Sequence, residues 1–226
     1  MKLSLLLSIA LLLPGCVNQT ELAKETLEAR LFTDKAVTYR NIETYPGKVV
    51  CGEFTTRRKI REFDYKPFIF HAEHIYMRPT AEDFAVFCSQ TPLEGLYTVS
   101  GINFSGESKP SLLHIRADFS VLDTSLKQYQ SDNAWVPKTN QGLKALEQPS
   151  DIAPKPRAFR EGGYIGQIPI DPWGRPYIYA GPVFGGVQGQ HKLTTLGADG
   201  KEGGTDINAD VETHHVKYLN HIEELE

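Results

Sequence analysis

A run of turn-forming residues between Gly162 and Asp210 limits the fold of this chain more than any other stretch. It holds Gly162-Gly163-Tyr164, then Ile168-Pro169-Ile170-Asp171-Pro172-Trp173-Gly174-Arg175-Pro176-Tyr177. Leu196-Gly197-Ala198-Asp199-Gly200 follows and leads through Asp206 to Asp210. Asp171-Pro172-Trp173-Gly174 fits a type I turn, with Asp first, Pro second and Gly fourth. Tyr177-Ile178-Tyr179-Ala180 alternates as a strand does. Taken alone, Asp-Pro-Trp-Gly describes only a hairpin turn with a packed Trp. Its surroundings make it specific.

Upstream lie Leu122-Asp123-Thr124-Ser125-Leu126-Lys127-Gln128-Tyr129 and then Asn140-Gln141-Gly142-Leu143-Lys144-Ala145-Leu146. With the Gly-Gly-Tyr, the Asp-Pro-Trp-Gly-x-Pro-Tyr and the Gly-Ala-Asp-Gly in that order, residues 111 to 212 closely resemble the C-terminal domain of the major pseudopilin of bacterial type II secretion. The resemblance implies a helix packed on a small antiparallel sheet, and a late loop that binds one calcium ion.

The chain opens Met1-Lys2, continues with an apolar run from Leu3 to Leu13, and reaches Pro14-Gly15-Cys16. One positive charge, a short apolar core and a small residue before Cys describe a bacterial export signal. The run is shorter than the roughly 20 residues that span a bilayer. Leu13-Pro14-Gly15-Cys16 resembles a lipobox, which implies that Cys16 is acylated and starts the mature protein. Acyl chains contribute about 0.8 kcal/mol per buried CH₂, so the expected result is a membrane-anchored protein. Val17, where some bacteria place a retaining Asp, points to the outer membrane, facing the periplasm.

Formal net charge is −4. No basic stripe stands out beyond Arg57-Arg58-Lys59 and Arg61, which reads as a solvated edge, so nucleic acid is not an expected partner. With Cys16 lipidated, Cys51 and Cys88 are left as a pair. In an oxidising compartment such a pair usually forms a disulfide. A metal or redox pair is the alternative, but no further soft ligand lies at suitable spacing. Closing that loop is worth about 3–4 kcal/mol in the chain-entropy treatment.

Thr20 to Phe32 reads as a partly amphipathic helix leading away from the lipid. Val49 to Phe54 reads as a strand after the Tyr45-Pro46-Gly47 turn, and Phe68-Ile69-Phe70 with His74-Ile75-Tyr76-Met77 as a hairpin. Thr80 with Asp83 forms a capping-box pattern at the start of a short helix that ends near Cys88. His71 with His74, and His214-His215, read as surface histidines, because adjacent side chains on a regular element diverge. Leu93 to Pro110 reads as a polar joint. Leu112, Ile115, Phe119, Leu122 and Leu126 then fall at helical spacing, in a helix that Pro110 keeps from extending upstream.

The expected fold is α+β: a small disulfide-tied antiparallel β domain with a short helix, then a pseudopilin-like head of helix plus antiparallel sheet. The expected partition is a lipoprotein signal at 1–15, a lipidated tether at 16–36 and a first domain at 37–98. A linker at 99–110, a calcium-binding head at 111–212 and a polar tail at 213–226 complete it. A true pseudopilin opens with a peptidase site and a long apolar helix that forms the filament spine. Nothing of that kind precedes Leu112, so the expected protein has the head without the spine.

Calcium takes six to eight oxygens at about 2.3–2.6 Å. By motif, Asp199 and Asp206 resemble the family's carboxylate ligands, Leu196 falls where a backbone carbonyl is used, and Asp210 lies near the last position. Gly197, Gly200, Gly203 and Gly204 allow the loop to wrap an ion. No Gly-x-Ser-x-Gly elbow, phosphate loop or His-Glu-x-x-His is present, and the pair Asp64 with Glu62 has no identifiable partner, so no enzyme is expected. The expected function is that of a non-catalytic interaction or accessory protein of the cell envelope. It would be held to the membrane by its lipid and would meet secretion or pilus machinery. A glycan- or peptide-binding module using Trp135, Tyr164, Trp173, Tyr177 and Tyr179 is the alternative.

Overall fold

The computed structural model describes residues 18–31, 33, 35–57, 61, 64–182 and 191–226. The signal segment, Cys16, Val17, Phe32, Arg58, Lys59 and Glu62 lie outside these described residues. The chain divides into two compact units, Met1–Pro79 and Thr80–Glu226.

The first unit has a helix α1 (Gln19–Leu31) and four strands: β1 (Thr38–Tyr45), β2 (Val49–Thr55), β3 (Lys66–His71) and β4 (His74–Tyr76). The strands form one antiparallel sheet in the order β1-β2-β3-β4. Alternation along the strands puts Val50, Phe54, Phe68 and Phe70 on one face, where Ala23 and Leu27 of α1 cover them. Gly52 sits opposite Phe68, and a Cβ there would come within 3.0 Å of the Phe68 ring. The β3–β4 hairpin turns through Ala72 and Glu73, both at positive φ (47° and 61°), as a two-residue turn of this hand requires.

The second unit begins with α2 (Ala81–Phe87) and α3 (Pro92–Ser100), followed by the 26-residue α4 (Ser108–Asn133). A three-stranded antiparallel sheet follows: β5 (Ile178–Ala180), β6 (Lys192–Thr195) and β7 (Val211–Glu212), in that order. A 3-10 turn at Thr213–His215 leads into α5 (Val216–Glu223). Leu112, Ile115, Phe119, Leu122, Leu126 and Tyr129 bury one stripe of α4, as their spacing requires. The Phe119 ring meets Tyr177 edge-on at 5.1 Å between centroids, and the Tyr177 hydroxyl donates to Asp118 (2.7 Å), so the turn-rich stretch is packed on the helix. At 1.5 Å per residue α4 is about 39 Å long. No helix among the described residues is long and apolar enough to cross a membrane.

The fold is α+β with antiparallel sheets, and Cys51 is disulfide-bonded to Cys88. Thr80 caps α2 with the reciprocal Asp83 bond that the sequence pattern indicates.

The partition differs from expectation in four places. Residues 19–31 are not a tether, because Ala23 and Leu27 are part of the first sheet's core. The first unit closes at Pro79, so α2 and α3 belong with the second unit and not with a domain running to 98. Residues 99–110 are not a linker: α3 ends at Gly101 in the left-handed region, and Ile102 and Phe104 are fully buried. Pro110 lies inside the first turn of α4, where the missing N–H costs nothing because first-turn N–H groups have no helical acceptor. Residues 213–226 are not a polar tail, since Tyr218, Leu219 and Ile222 bury one face of α5.

Candidate functional site

The loop from Leu196 to Asp210 leaves β6 and returns into β7. It is held from two sides. On one side stands the turn at Asp171. Its main-chain carbonyl accepts the Gly174 N–H (2.9 Å), and its carboxylate is buried. That carboxylate accepts the N–H groups of Trp173 (3.0 Å) and Arg175 (2.8 Å) and the Thr195 hydroxyl (2.8 Å). Asp171 also pairs with the Arg175 guanidinium (3.3 Å), which in turn donates to the Gly197 carbonyl. The Asp-Pro-Trp-Gly-Arg turn therefore carries a cation onto the first residues of the loop. On the other side, Gly101 accepts the Asp206 N–H (2.8 Å), and Asn103 donates to the Asp206 carboxylate (2.9 Å).

Glycine is needed where the loop folds back on itself. A Cβ at Gly197 would lie 2.3 Å from the Asn208 carbonyl carbon, and one at Gly204 would lie 2.5 Å from the Asn208 oxygen. Both residues have positive φ, which glycine adopts without penalty.

The candidate ligands occupy different settings. The Leu196 carbonyl accepts the Gly200 N–H (3.2 Å). Asp199 and Asp206 are exposed, and Asp199 Oδ1 accepts the Lys201 N–H (3.1 Å). Asp210 is partly buried; its Oδ2 accepts the Gly203 N–H (2.9 Å), and its Oδ1 is enclosed with no hydrogen-bond partner. A buried carboxylate oxygen without a donor is costly unless a cation meets it. That orphan, with an all-oxygen donor set on a glycine-lined loop, fits a hard cation such as calcium. The three carboxylates do not bring one oxygen each within 4.8 Å of one another, so Asp199 and Asp206 would have to move inward to share an ion with Asp210.

Other sequence candidates resolve simply. Tyr164, Tyr177 and Tyr179 are buried and Trp135 and Trp173 are half-buried, so none of the five offers an exposed stacking platform. Arg57 and Arg61 both pair with Asp64, at 3.1 and 3.6 Å. His71 and His74 are register partners in the β3–β4 hairpin but belong to no group of three ligands. Sequence reasoning missed the supporting residues Asn103, Gly101 and Arg175, which lie far from the loop in the chain. The Arg within Asp-Pro-Trp-Gly-Arg, opposite a glycine-rich loop, was the one available signal.

Residues 106–214 match the family model for type II secretion system (T2SS), protein G. This is a protein G-like domain. The type II secretion system core protein G of Pseudomonas aeruginosa is 42% identical over 96 residues, covering 42% of this chain and 66% of that protein. That of Vibrio cholerae is 44% identical over 101 residues, 44% of this chain and 66% of that protein. The crystal structure of the major pseudopilin from the type 2 secretion system of enterohaemorrhagic Escherichia coli is 33% identical, with a TM-score of 0.38. It covers 42% of this chain and 77% of that one. The chain thus spans just under two thirds of the length of the first two relatives. The protein G-like domain includes α4, the second sheet and the whole candidate loop, while the first unit, α2, α3 and α5 lie outside the match.

Proposed function

We propose that this protein is a non-catalytic accessory or interaction component of the cell envelope, presenting a calcium-stabilised protein G-like domain from a lipid anchor at Cys16. The observation that carries the calcium reading is the enclosed, partnerless Oδ1 of Asp210 within a loop that the family match includes. Asp199, Asp206 and Asp210 would hold the ion through carboxylates and Leu196 through its carbonyl. When bound, calcium supplies a fixed positive charge that ties the two ends of the loop together. Asp171 and Arg175 hold one end, and Asn103 and Gly101 the other, so the loop is already curved before an ion arrives. The relatives' names support an association with type II secretion machinery, and the export signal and lipobox pattern of Leu3 to Cys16 supports the envelope location.

A thermal melt of the chelator-stripped mature chain tests the metal. Millimolar calcium, and not magnesium, is expected to raise Tm, and Asp199→Ala and Asp206→Ala are expected to abolish the rise. Saturation at 100 times Kd corresponds to about 2.7 kcal/mol. No shift in the unsubstituted chain removes calcium from the proposal. The anchor is tested separately: radiolabelled palmitate is expected to enter the full chain and not its Cys16→Ser variant. Crosslinking in native membranes that recovers no secretion component would count against the machinery reading.

A further inference from the structure

A second group of potential ligands stands apart from the calcium loop. Glu82, His214 and His215 each offer one ligand atom, and these lie within 4.8 Å of one another, the only such group of three among the described residues. Glu82 is in the first turn of α2, and the histidines lie in the 3-10 turn that leads into α5. Glu82 and His214 are 132 residues apart in the chain, and one buried side chain holds their elements together. Asp83 accepts the Thr80 N–H (2.8 Å) on its own helix and the Tyr218 hydroxyl (2.8 Å) from α5, and it pairs with Lys217. The scaffold is therefore clamped directly behind the ligand atoms.

His214 stands between two carboxylates. Glu212 Oε2 lies 3.4 Å from His214 Nδ1, while its Oε1 pairs with Lys192 (2.9 Å). The tautomer decides which ring nitrogen donates, and with the proton on Nδ1 facing that carboxylate, Nε2 is free to coordinate. Nε2 lies 3.0 Å from Glu82 Oε2, within hydrogen-bond distance. In that tautomer the two acceptors repel unless a metal ion or a second proton stands between them, whereas the other tautomer donates Nε2–H to Glu82. Ligands on a tetrahedral zinc ion with bonds of about 2.0–2.2 Å sit about 3.3 Å apart, so a few tenths of an ångström of opening admits one. The carboxylate behind Nδ1 is the arrangement that orients metal-bound histidines elsewhere. Both Glu82 and His214 are partly open to solvent (side chains 36% and 42% exposed), which gives an ion a way in. His215 is buried, with its ring centroid 4.0 Å from that of His214. Its Nδ1 accepts the Glu212 N–H (3.0 Å), and whichever ring nitrogen coordinates, that bond is given up.

We propose that Glu82, His214 and His215 form a binding site for a borderline divalent transition ion such as zinc, with Glu212 as the positioning residue for His214. Imidazole nitrogen selects such an ion over calcium. Glu82 lies outside the protein G-like match and His214 at its last residue, so the site lies across the edge of that match. It does not depend on the calcium reading.

The test is a calorimetric titration of the untagged, chelator-stripped mature chain with zinc, repeated in excess calcium. Cobalt is then substituted, and its visible spectrum reports tetrahedral nitrogen and oxygen coordination. One equivalent of zinc is expected to bind, undisturbed by calcium or by Asp206→Ala. His214→Ala and Glu82→Gln, both at partly exposed positions, are expected to weaken it at least tenfold with the metal-free Tm unchanged. Glu212→Gln is expected to weaken it by about 10- to 100-fold, the range for residues behind a ligand. Absence of zinc binding, or undiminished affinity in both His214→Ala and Glu82→Gln, overturns the proposal. A proton bridging Glu82 and His214 would then account for the contact.

Discussion

Asp171 shows how much a single buried carboxylate organises. It takes two backbone N–H groups, one hydroxyl and one guanidinium, and replacing it with Ala leaves those donors facing an apolar gap. Asp171→Ala is expected to destabilise the second unit by about 3 kcal/mol, read as a lower urea midpoint at unchanged slope. Gly197→Ala adds a Cβ 2.3 Å from the Asn208 backbone at a positive φ. It is expected to cost on the order of 2 kcal/mol, and to weaken calcium-dependent stabilisation by more than it weakens the unliganded fold. Glu53 gives a pH dependence. The hydrogen bond from Arg40 (2.7 Å) holds its carboxyl below the usual range, with burial opposing and Asn41 assisting. A carboxyl lowered on folding contributes stability above its unfolded value, and that contribution is lost as pH falls through the folded one. Urea midpoints taken from pH 6 to pH 3 are therefore expected to fall more steeply for the native chain than for Glu53→Gln.

Elements were legible in the sequence where periodicity was long and turn chemistry strict. The stripe from Leu112 to Leu126, the Thr80–Asp83 capping box and the Asp171–Gly174 turn each carry a local signal strong enough to fix their geometry. Strand β1 was not legible, because at the sheet's edge Arg40, Asn41 and Glu43 replace the alternating apolar pattern. Residues 99–110 looked like a joint because Gly and Ser dominate locally, yet Ile102 and Phe104 decide their burial. Helix α5 was hidden by its charged residues, while Tyr218, Leu219 and Ile222 at helical spacing hold it down. In the loop from Leu196 to Asp210, motif alone pointed to Asp199, Asp206 and Asp210 as candidates, while the supports from Asn103 and Gly101 arise only from tertiary contact. Asp83 binds two elements at once, so Asp83→Ala is expected to cost about 2–4 kcal/mol by losing a cap and stranding the Tyr218 hydroxyl. The same change is expected to loosen zinc binding.

At the scale of the whole molecule, the Cys51–Cys88 bond closes a long loop of the chain. Its reduction is expected to lower stability by about 3–4 kcal/mol, measured by urea unfolding with and without reductant. The family match and the compact second unit have different limits, residues 106–214 against Thr80–Glu226. What falls between those limits at either end meets in space: α2 and α3 precede the match, α5 follows it, and α5 packs on both and on α4. The Arg116 guanidinium reaches Asn220 (3.2 Å), and Lys109 pairs with Glu226. A cut at the limits of the match would leave α4 without the α5 that packs on it. The smallest portable piece of this chain is therefore the larger one, Thr80–Glu226.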